Sequence, residues 1–137
     1  MVLGEKLWEG KAKTMSMVIK AITSEGMTFE HTWIAQVKGL GKAKGLDGSI
    51  METEVAVVTQ SGSASATGNA LFNLPGNDTA VIKALGVGKG EGQSGMGLYV
   101  WSFMTNSKEL DWLNKTLAVA TQEGDPQEFD LVVWEWK

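Results

Sequence analysis

The sequence has no cysteine and no arginine, and it has only one histidine, His31, and two prolines. Without cysteine there is no disulfide framework, no thiolate chemistry and no iron–sulfur cluster, and one histidine cannot build a multi-histidine zinc site. Nucleic-acid-binding proteins depend on a basic face and on bidentate arginine contacts, whereas this chain has a formal net charge of -4. These absences exclude most named catalytic machinery and a nucleic-acid partner.

Neither a secretion signal nor a membrane-spanning segment is predicted. Residues 1–8 lack a basic start followed by an apolar stretch, and no later segment approaches the roughly 20 apolar residues of a membrane helix. We therefore expect a soluble cytoplasmic protein with no membrane partner. The 137 residues suffice for one sizeable core, so residues 1–137 are predicted to form a single domain.

What the chain does contain is glycine, with 17 residues, and short alternating runs rich in Val, Ile, Thr and Trp. This pattern is typical of many strands joined by tight turns. The short connections favour antiparallel neighbours. The predicted fold class is all-β, a closed antiparallel β-barrel of about eight strands. The extended segments are predicted at 7–13, 14–23, 27–38, 48–60, 65–74, 78–85, 96–105, 115–122 and 128–136.

One short helix is predicted near residues 107–113. Asn106 could cap its first turn, with Glu109 three residues later completing the capping pattern. Leu110 and Leu113 are three residues apart and would face inward together, so the helix is expected to cover one end of the β structure.

Two glycine-rich stretches, residues 39–45 and 86–92, have glycine or alanine at every second position. In a strand, alternate residues share one face, so each stretch would form a ribbon with almost no side chains on that face. Such ribbons occur where a sheet bends sharply or a bulky neighbour lies flat on the backbone. Large rings, for which six tryptophans are available, are expected to cover them in a closed barrel.

Several strands are apolar on both faces. Residues 96–104 place methionine, leucine and valine on one side and Tyr99, Trp101 and Phe103 on the other. A single core cannot cover both faces of every strand, so the outer surface is expected to pack on the short helix, the termini or another subunit, and we favour another subunit. The chain is therefore predicted to be a homo-oligomer.

Polar residues on strands that face the interior are the candidate ligand contacts. His31 shares a strand face with Trp33 and is expected inside, as a hydrogen-bonded core histidine, a general base or a metal ligand. No ligand spacing surrounds it, so no metal is predicted. Asn69 and Asn73 would be inside if the row with Thr67 and Leu71 faces the lumen. The predicted lumen residues are His31, Trp33, Asn69, Asn73, Tyr99 and Trp101.

Glu52 and Glu54 are two residues apart on one predicted strand, so their carboxyl groups face the same way. Such a pair can separate its pKa values and divide acid and base roles. Because the opposite row, Met51 to Val57, is more apolar, we expect the two glutamates to face outward or towards a wet barrel mouth.

No cofactor is predicted. The G-x-G-x-x-G pattern at 90–95 would bind a nucleotide only where it opens a helix, and here it leads into a strand.

The glycine ribbons, the strand containing His31-Thr-Trp33 and the glycine-rich entry to Leu98-Tyr-Val-Trp101 resemble the calycin-like group with the allene oxide cyclase barrel, and in particular small microbial proteins of that shape. The resemblance covers about residues 27–136. It implies an eight-stranded antiparallel barrel, often oligomeric, with an apolar lumen at one end.

Three functions follow as hypotheses. The first is a module that binds one small apolar or aromatic molecule in the barrel lumen. The second is an isomerase or cyclase that uses a single base, His31 or a glutamate. The third is a structural module whose role is assembly.

Overall fold

The protein is a closed barrel of eight antiparallel strands, seen in a computed structural model that describes residues 2–91 and 94–137, apart from the side chains of Glu91 and Ser94. Each strand pairs with the next one along the chain, and the last pairs with the first. This confirms the predicted fold class. The strands are β1 (Leu3–Thr23), β2 (Gly26–Gly39), β3 (Gly48–Thr59), β4 (Ser63–Asn73), β5 (Thr79–Glu91), β6 (Ser94–Met104), β7 (Leu117–Gly124) and β8 (Glu128–Trp136).

The first strand is longer than predicted. Segments 7–13 and 14–23 form one strand, β1, whose pairing with β2 is interrupted by irregularities after Thr14 and after Ile19. Pairing between β1 and β8 ends at Lys13 and Glu128. The last third of β1 therefore extends beyond β8, with β2 as its neighbour.

Helical structure in the described ranges is limited to three 3-10 turns, Gly41–Ala43, Pro75–Asn77 and Asp111–Lys115. The helix predicted near 107–113 is therefore wrong. In this loop the Asn114 side chain accepts a hydrogen bond from the Thr105 amide and donates one to the Thr105 carbonyl, which gives the backbone an alternative to helical bonds. Leu110 and Leu113 are nevertheless both buried, as predicted. No described helix is long and apolar enough to cross a membrane.

One end of the barrel is closed by aromatic packing. The Trp8 ring meets Phe72 edge to face with centroids 5.0 Å apart, and its indole N–H donates to the Leu46 carbonyl at 2.9 Å. Leu113, from the loop between β6 and β7, is fully buried in the same core. Because large rings and loop residues occupy this end, it offers little room for a ligand.

The barrel wall formed by β4 and β5 carries very small inward side chains. Tyr99 lies flat on this wall: a Cβ placed on Gly86 would be 2.2 Å from Cδ2 of its ring. A large ring thus covers the bare ribbon at Gly86, as predicted, although the ring is a phenol instead of an indole. The larger inward residues Phe72 and Ile82 lie towards the closed end. Towards the other end the inward residues are Ala64, Ala66, Gly68 and Ala70 on β4, and Ala84, Gly86 and Gly88 on β5.

The other predicted ribbon is wrong, because residues 41–43 form a 3-10 turn instead of a strand. Gly41 and Gly45 adopt positive φ angles there, which a glycine-rich turn permits and a strand does not use. Gly92, the last position of the second ribbon, lies outside the described residues, as does Gln93 of the G-x-G-x-x-G pattern.

The outer surface of β3 to β6 is apolar along two rows of facing residues. Met51, Leu71, Val81 and Met104 form one row, and Val87 faces Leu98 in the other, with Leu85 next to Val87 on the same face of β5. All of these side chains are exposed, Leu85 to 63%. Exposed apolar patches of this extent commonly mark interaction surfaces. Homo-oligomerisation through such a surface remains a prediction.

We expect sedimentation equilibrium at micromolar concentrations to show an oligomer, and Leu85→Lys to shift it towards monomer. A lysine in an apolar contact would be buried without a partner, which disfavours association. Gln36→Lys, at an exposed position on β2, is the matched control and should leave the assembly unchanged. A monomeric wild type would contradict the prediction.

Candidate functional site

The barrel opens into a cavity of about 400 Å³ at the end where the turns after β1, β3 and β7 lie. Its wall includes five inward or rim residues from five strands: His31, Val58, Tyr99, Gln122 and Phe129. The space exists because β4 and β5 present alanine and glycine on this side. A cavity with an apolar wall and a few polar groups is the usual form of a small-molecule site.

His31 is held on both ring nitrogens by protein partners. Nε2 lies 2.7 Å from Thr14 Oγ1, and Nδ1 lies 3.1 Å from Glu54 Oε1. The Thr14 hydroxyl has one hydrogen, which it donates to the Pro126 carbonyl. Thr14 must therefore accept from His31, so Nε2 carries a proton. The proton between Nδ1 and Glu54 then links the imidazole and the carboxyl group, whichever atom holds it.

The order carboxyl, imidazole and hydroxyl is also the order in a serine-hydrolase triad. In such a triad the hydroxyl donates to the imidazole and becomes a nucleophile. Here the hydrogen of Thr14 is committed to Pro126. The arrangement therefore fixes the orientation and tautomer of His31 and does not activate Thr14.

Glu52 is the most deeply buried carboxyl group of the barrel, with no exposed surface. Burial, and to a lesser degree the neighbouring carboxyl group of Glu54, raise the pKa of Glu52 well above its usual range. The Trp33 indole opposes this rise slightly, but neither Glu52 oxygen has a partner with hydrogen-bond geometry. The folded protein therefore favours the protonated, neutral form of Glu52.

Room for the two glutamates comes from Gly68, which pairs with Glu54 across β3 and β4. A Cβ on Gly68 would lie 3.1 Å from Glu52 Oε1 and 3.1 Å from Glu54 Cβ. Both contacts are tighter than ordinary packing, so a larger residue would push the carboxyl groups aside. The small side chains of the wall formed by β4 and β5 thus leave space for the acidic pair as well as for the cavity.

Tyr99 connects the cavity with the acidic pair. Burial and the carboxyl group of Glu54 raise the pKa of the Tyr99 phenol far above its usual value. The phenol therefore keeps its proton over the whole physiological range. Tyr99 faces the cavity as a neutral group that can donate or accept a hydrogen bond.

Gln122 on β7 places an amide group in the cavity wall. The residue is only 8% exposed, and its Nε2 atom has no hydrogen-bond partner in the protein. A buried donor without a partner costs about 1–3 kcal/mol. Because Gln122 lines the cavity, a small rotation of its side chain would present this donor to an acceptor atom of a guest.

Four of the six predicted lumen residues do face the interior, where His31, Trp33, Tyr99 and Trp101 are all buried. His31 and Tyr99 line the cavity, whereas Trp33 and Trp101 lie in the core without exposed surface. Their role in binding a ligand stays a prediction. Trp33 meets Phe129 edge to face at 5.6 Å and so supports the floor of the cavity.

The placement of Asn69 and Asn73 inside the barrel is wrong, since both are exposed on the outer face of β4. The inward row is the alternate one, with alanine and glycine at 64, 66, 68 and 70. The lumen needs small residues on one wall because large rings fill it from the other strands.

The expectation that Glu52 and Glu54 face outward is also wrong, and the apolar row from Met51 to Val57 is outside instead. The pairing of Trp33 with Glu52 and of His31 with Glu54 gives the reason, because directly opposed residues share a face.

Sequence reasoning did not single out Thr14 or Gln122. A threonine or glutamine in an alternating strand gives no signal until its face is known.

Among the described residues, no group of three or more His, Cys, Asp or Glu side chains is arranged to hold a metal ion. All twelve lysines are exposed, so the interior contains no lysine that could neutralise an anionic guest. Inside the cavity the polar wall groups are His31, Tyr99 and Gln122, backed by buried carboxyl groups. The charged residues of the lining, Lys89 and Asp125, are exposed residues near the ends of β5 and β7.

Solved structures with the same fold are similar along the whole chain. A protein of unknown function from Clostridium acetobutylicum ATCC 824 has a TM-score of 0.84 at 12% identity, with 100% of both chains covered. A beta-barrel like protein from Acinetobacter baumannii AYE has a TM-score of 0.82 at 16% identity, covering 99% of this chain and 96% of the other. An enzyme from Penicillium herquei has a TM-score of 0.75 at 15% identity, covering 97% and 92%.

At these identities the likeness establishes the fold and nothing about activity. No family model and no curated protein sequence matches the chain. The function must therefore be argued from the cavity itself.

Proposed function

We propose that the protein binds a small, uncharged, mainly apolar molecule in the open end of the barrel, with a hydrogen-bond acceptor of the ligand placed at Gln122. The observation that carries the proposal is the buried, unpaired amide donor of Gln122 in the wall of an open cavity. Val58, Phe129 and the Tyr99 ring supply the apolar contacts. An apolar lumen open at one end is also what the resemblance to the allene oxide cyclase barrel group implies.

The absence of charge on the ligand follows from the surroundings. A carboxylate in the cavity would lie near the buried Glu52 and Glu54, whereas the lysine of the lining, Lys89, is exposed and belongs to the outward row of β5. An unpaired buried charge is strongly disfavoured. A neutral carbonyl or ether oxygen, by contrast, needs only the hydrogen bond that Gln122 offers.

The isomerase or cyclase hypothesis receives weaker support from the geometry. A general base must reach the proton that it removes. Both nitrogens of His31 are held by Thr14 and Glu54, and Glu52 has no exposed surface and a raised pKa that favours its protonated form. Of the three solved structures compared above, the one from Penicillium herquei is described as an enzyme, and its likeness to this chain concerns the fold. We therefore favour binding over catalysis.

Binding can be tested with N-phenylnaphthylamine, a neutral dye whose fluorescence rises in apolar sites. We expect a rise on addition of the protein and its reversal by acetophenone. Phe129→Asp should abolish the rise by placing a charge in the apolar wall, whereas Asp130→Asn, on the exposed face of the same strand, should not. A wild-type protein that leaves the fluorescence unchanged and binds no acetophenone would refute the proposal.

The role of Gln122 predicts opposite effects on binding and stability. Gln122→Leu should weaken acetophenone binding by about twofold to tenfold, the value of one neutral hydrogen bond, and leave ethylbenzene binding unchanged. It should also raise the melting temperature of the unliganded protein, because the unpaired buried donor is removed. Isothermal titration calorimetry and thermal unfolding measure the two effects.

The matched control for this variant is Gln36→Leu on the exposed face of β2, which should change neither affinity. Equal losses for acetophenone and ethylbenzene would show that the Gln122 side chain shapes the cavity without bonding to the ligand.

A further inference from the structure

An apolar surface continues from the cavity along the extended end of the β1–β2 hairpin. We define the apolar lip as Met17, Ile19 and Ile22 of β1 with Met27 and Phe29 of β2. These residues form facing pairs: Met17 lies opposite His31, Ile19 opposite Phe29, and Ile22 opposite Met27. Because His31 faces the barrel interior and alternate residues share a face, the lip is on the same side as the cavity.

The lip is apolar and open to solvent. Met17, Ile19 and Ile22 are exposed to 45%, 57% and 73%, and Met27 and Phe29 are half-buried. β8 does not cover this part of β1, since their pairing ends at Lys13 and Glu128. Burying such a surface on a ligand releases about 25 cal/mol for each Å² removed from water.

The lip is continuous with the cavity. Met27 pairs with Val58 across β2 and β3, and Val58 is part of the cavity wall. His31, which faces Met17, is part of the same wall. From His31 to Met27 the lip extends roughly 13 Å at the rise of a β-strand. A molecule whose polar end lies at Gln122 can therefore leave the cavity over His31 and Val58 and follow the lip.

We propose that the ligand is an elongated amphiphile: a neutral carbonyl-type head group in the cavity and an unbranched alkyl chain along the apolar lip. This inference rests on the proposed function and names the ligand class. A compact aromatic molecule would occupy the cavity and leave the lip exposed. An alkyl chain covers both surfaces without placing a charge near Glu52 and Glu54.

The test uses methyl ketones with alkyl chains from butyl to decyl, titrated into the 137-residue protein by isothermal titration calorimetry. Affinity should rise by up to about fourfold for each added methylene group, the value of a fully buried one, until the chain passes the end of the lip. Ile19→Asn should lower the affinity for the decyl ketone several-fold and leave the butyl ketone unchanged.

The matched control is Val18→Asn on the opposite face of the same strand, since Val18 is 48% exposed and pairs with Glu30 on the outer side. It should affect neither ketone. Thermal unfolding of both variants checks that each is folded.

The outcomes separate the two proposals. If the butyl ketone binds but affinity does not grow with chain length, or if Val18→Asn has the same effect as Ile19→Asn, the lip proposal is overturned and the cavity proposal stands. If no ketone binds, both fail. If Ile19→Asn instead dissociates an oligomer in sedimentation experiments, the lip is covered by a second copy of the chain and the alkyl-chain assignment is wrong.

Discussion

Replacing Gly86 by alanine should lower the free energy of unfolding by about 1–3 kcal/mol, the cost of overpacking a filled interior. The added Cβ would lie 2.2 Å from Cδ2 and 2.6 Å from Cγ of the Tyr99 ring, so the ring must move. Gly97 restricts the other side of the same ring, because a Cβ there would be 2.7 Å from Cε1. The ring is therefore restricted on both of these sides.

The cause of this loss can be isolated with a double-mutant cycle. In a Tyr99→Ala protein, Gly86→Ala should cost far less, because the atoms with which it clashes are gone. Gly95→Ala is the control: its Cβ would have its nearest contact at 3.4 Å, and loss of a flexible glycine from the unfolded chain should make it neutral or slightly stabilising. Urea unfolding of the four proteins of the cycle and of the Gly95→Ala control measures these free energies. An unchanged cost of Gly86→Ala without the tyrosine would contradict the proposed packing.

Glu52 should make the wild-type protein progressively less stable as the pH rises above about 4.5, its ordinary pKa. Below that value the carboxyl group is protonated in both the folded and the unfolded chain and has no effect. Above it the unfolded chain ionises while the folded one keeps its raised pKa and stays protonated. The free energy of unfolding then falls by up to about 1.4 kcal/mol per pH unit until the pH reaches the folded-state pKa.

The variant Glu52→Gln isolates this effect because glutamine has the same shape and does not titrate. The stability difference between the variant and the wild type should grow in favour of the variant as the pH rises through this window. Ionisations shared by both proteins cancel in the difference. Glu123→Gln, at an exposed position on β7, is the control and should run parallel to the wild type. Parallel curves for Glu52→Gln would mean that Glu52 ionises normally in the folded barrel.

These two predictions concern the same region of the barrel. Gly86, with Gly68 on the neighbouring strand, leaves the space in which Tyr99 and the acidic pair are accommodated. A stabilising change here, such as Glu52→Gln, would also alter the polar background of the cavity. Functional sites commonly retain residues that lower the stability of the fold, because the groups that bind or react are often ones that a purely stable core would exclude.

The sequence by itself determined the class of the fold. Alternating strands, short glycine-rich turns and few helical signals predict an antiparallel barrel, and closure follows because large rings and bare glycines occur together. It also placed His31, Trp33, Tyr99 and Trp101 inside, since each lies in a row whose other members are large and apolar. The buried pair Leu110 and Leu113 was predicted as well, although the local structure is a 3-10 turn.

Only the tertiary structure decided which face of β3 and β4 is the inside. A strand offers two rows, and a shift of one residue in register exchanges them. Hydrophobicity selects the row Met51 to Val57, yet the structure turns Glu52 and Glu54 inward, because β2 fixes their register opposite Trp33 and His31. On β4 the small row is inside, since volume and not polarity limits what fits against Tyr99. Register and available volume belong to the closed barrel as a whole, and no single strand encodes them.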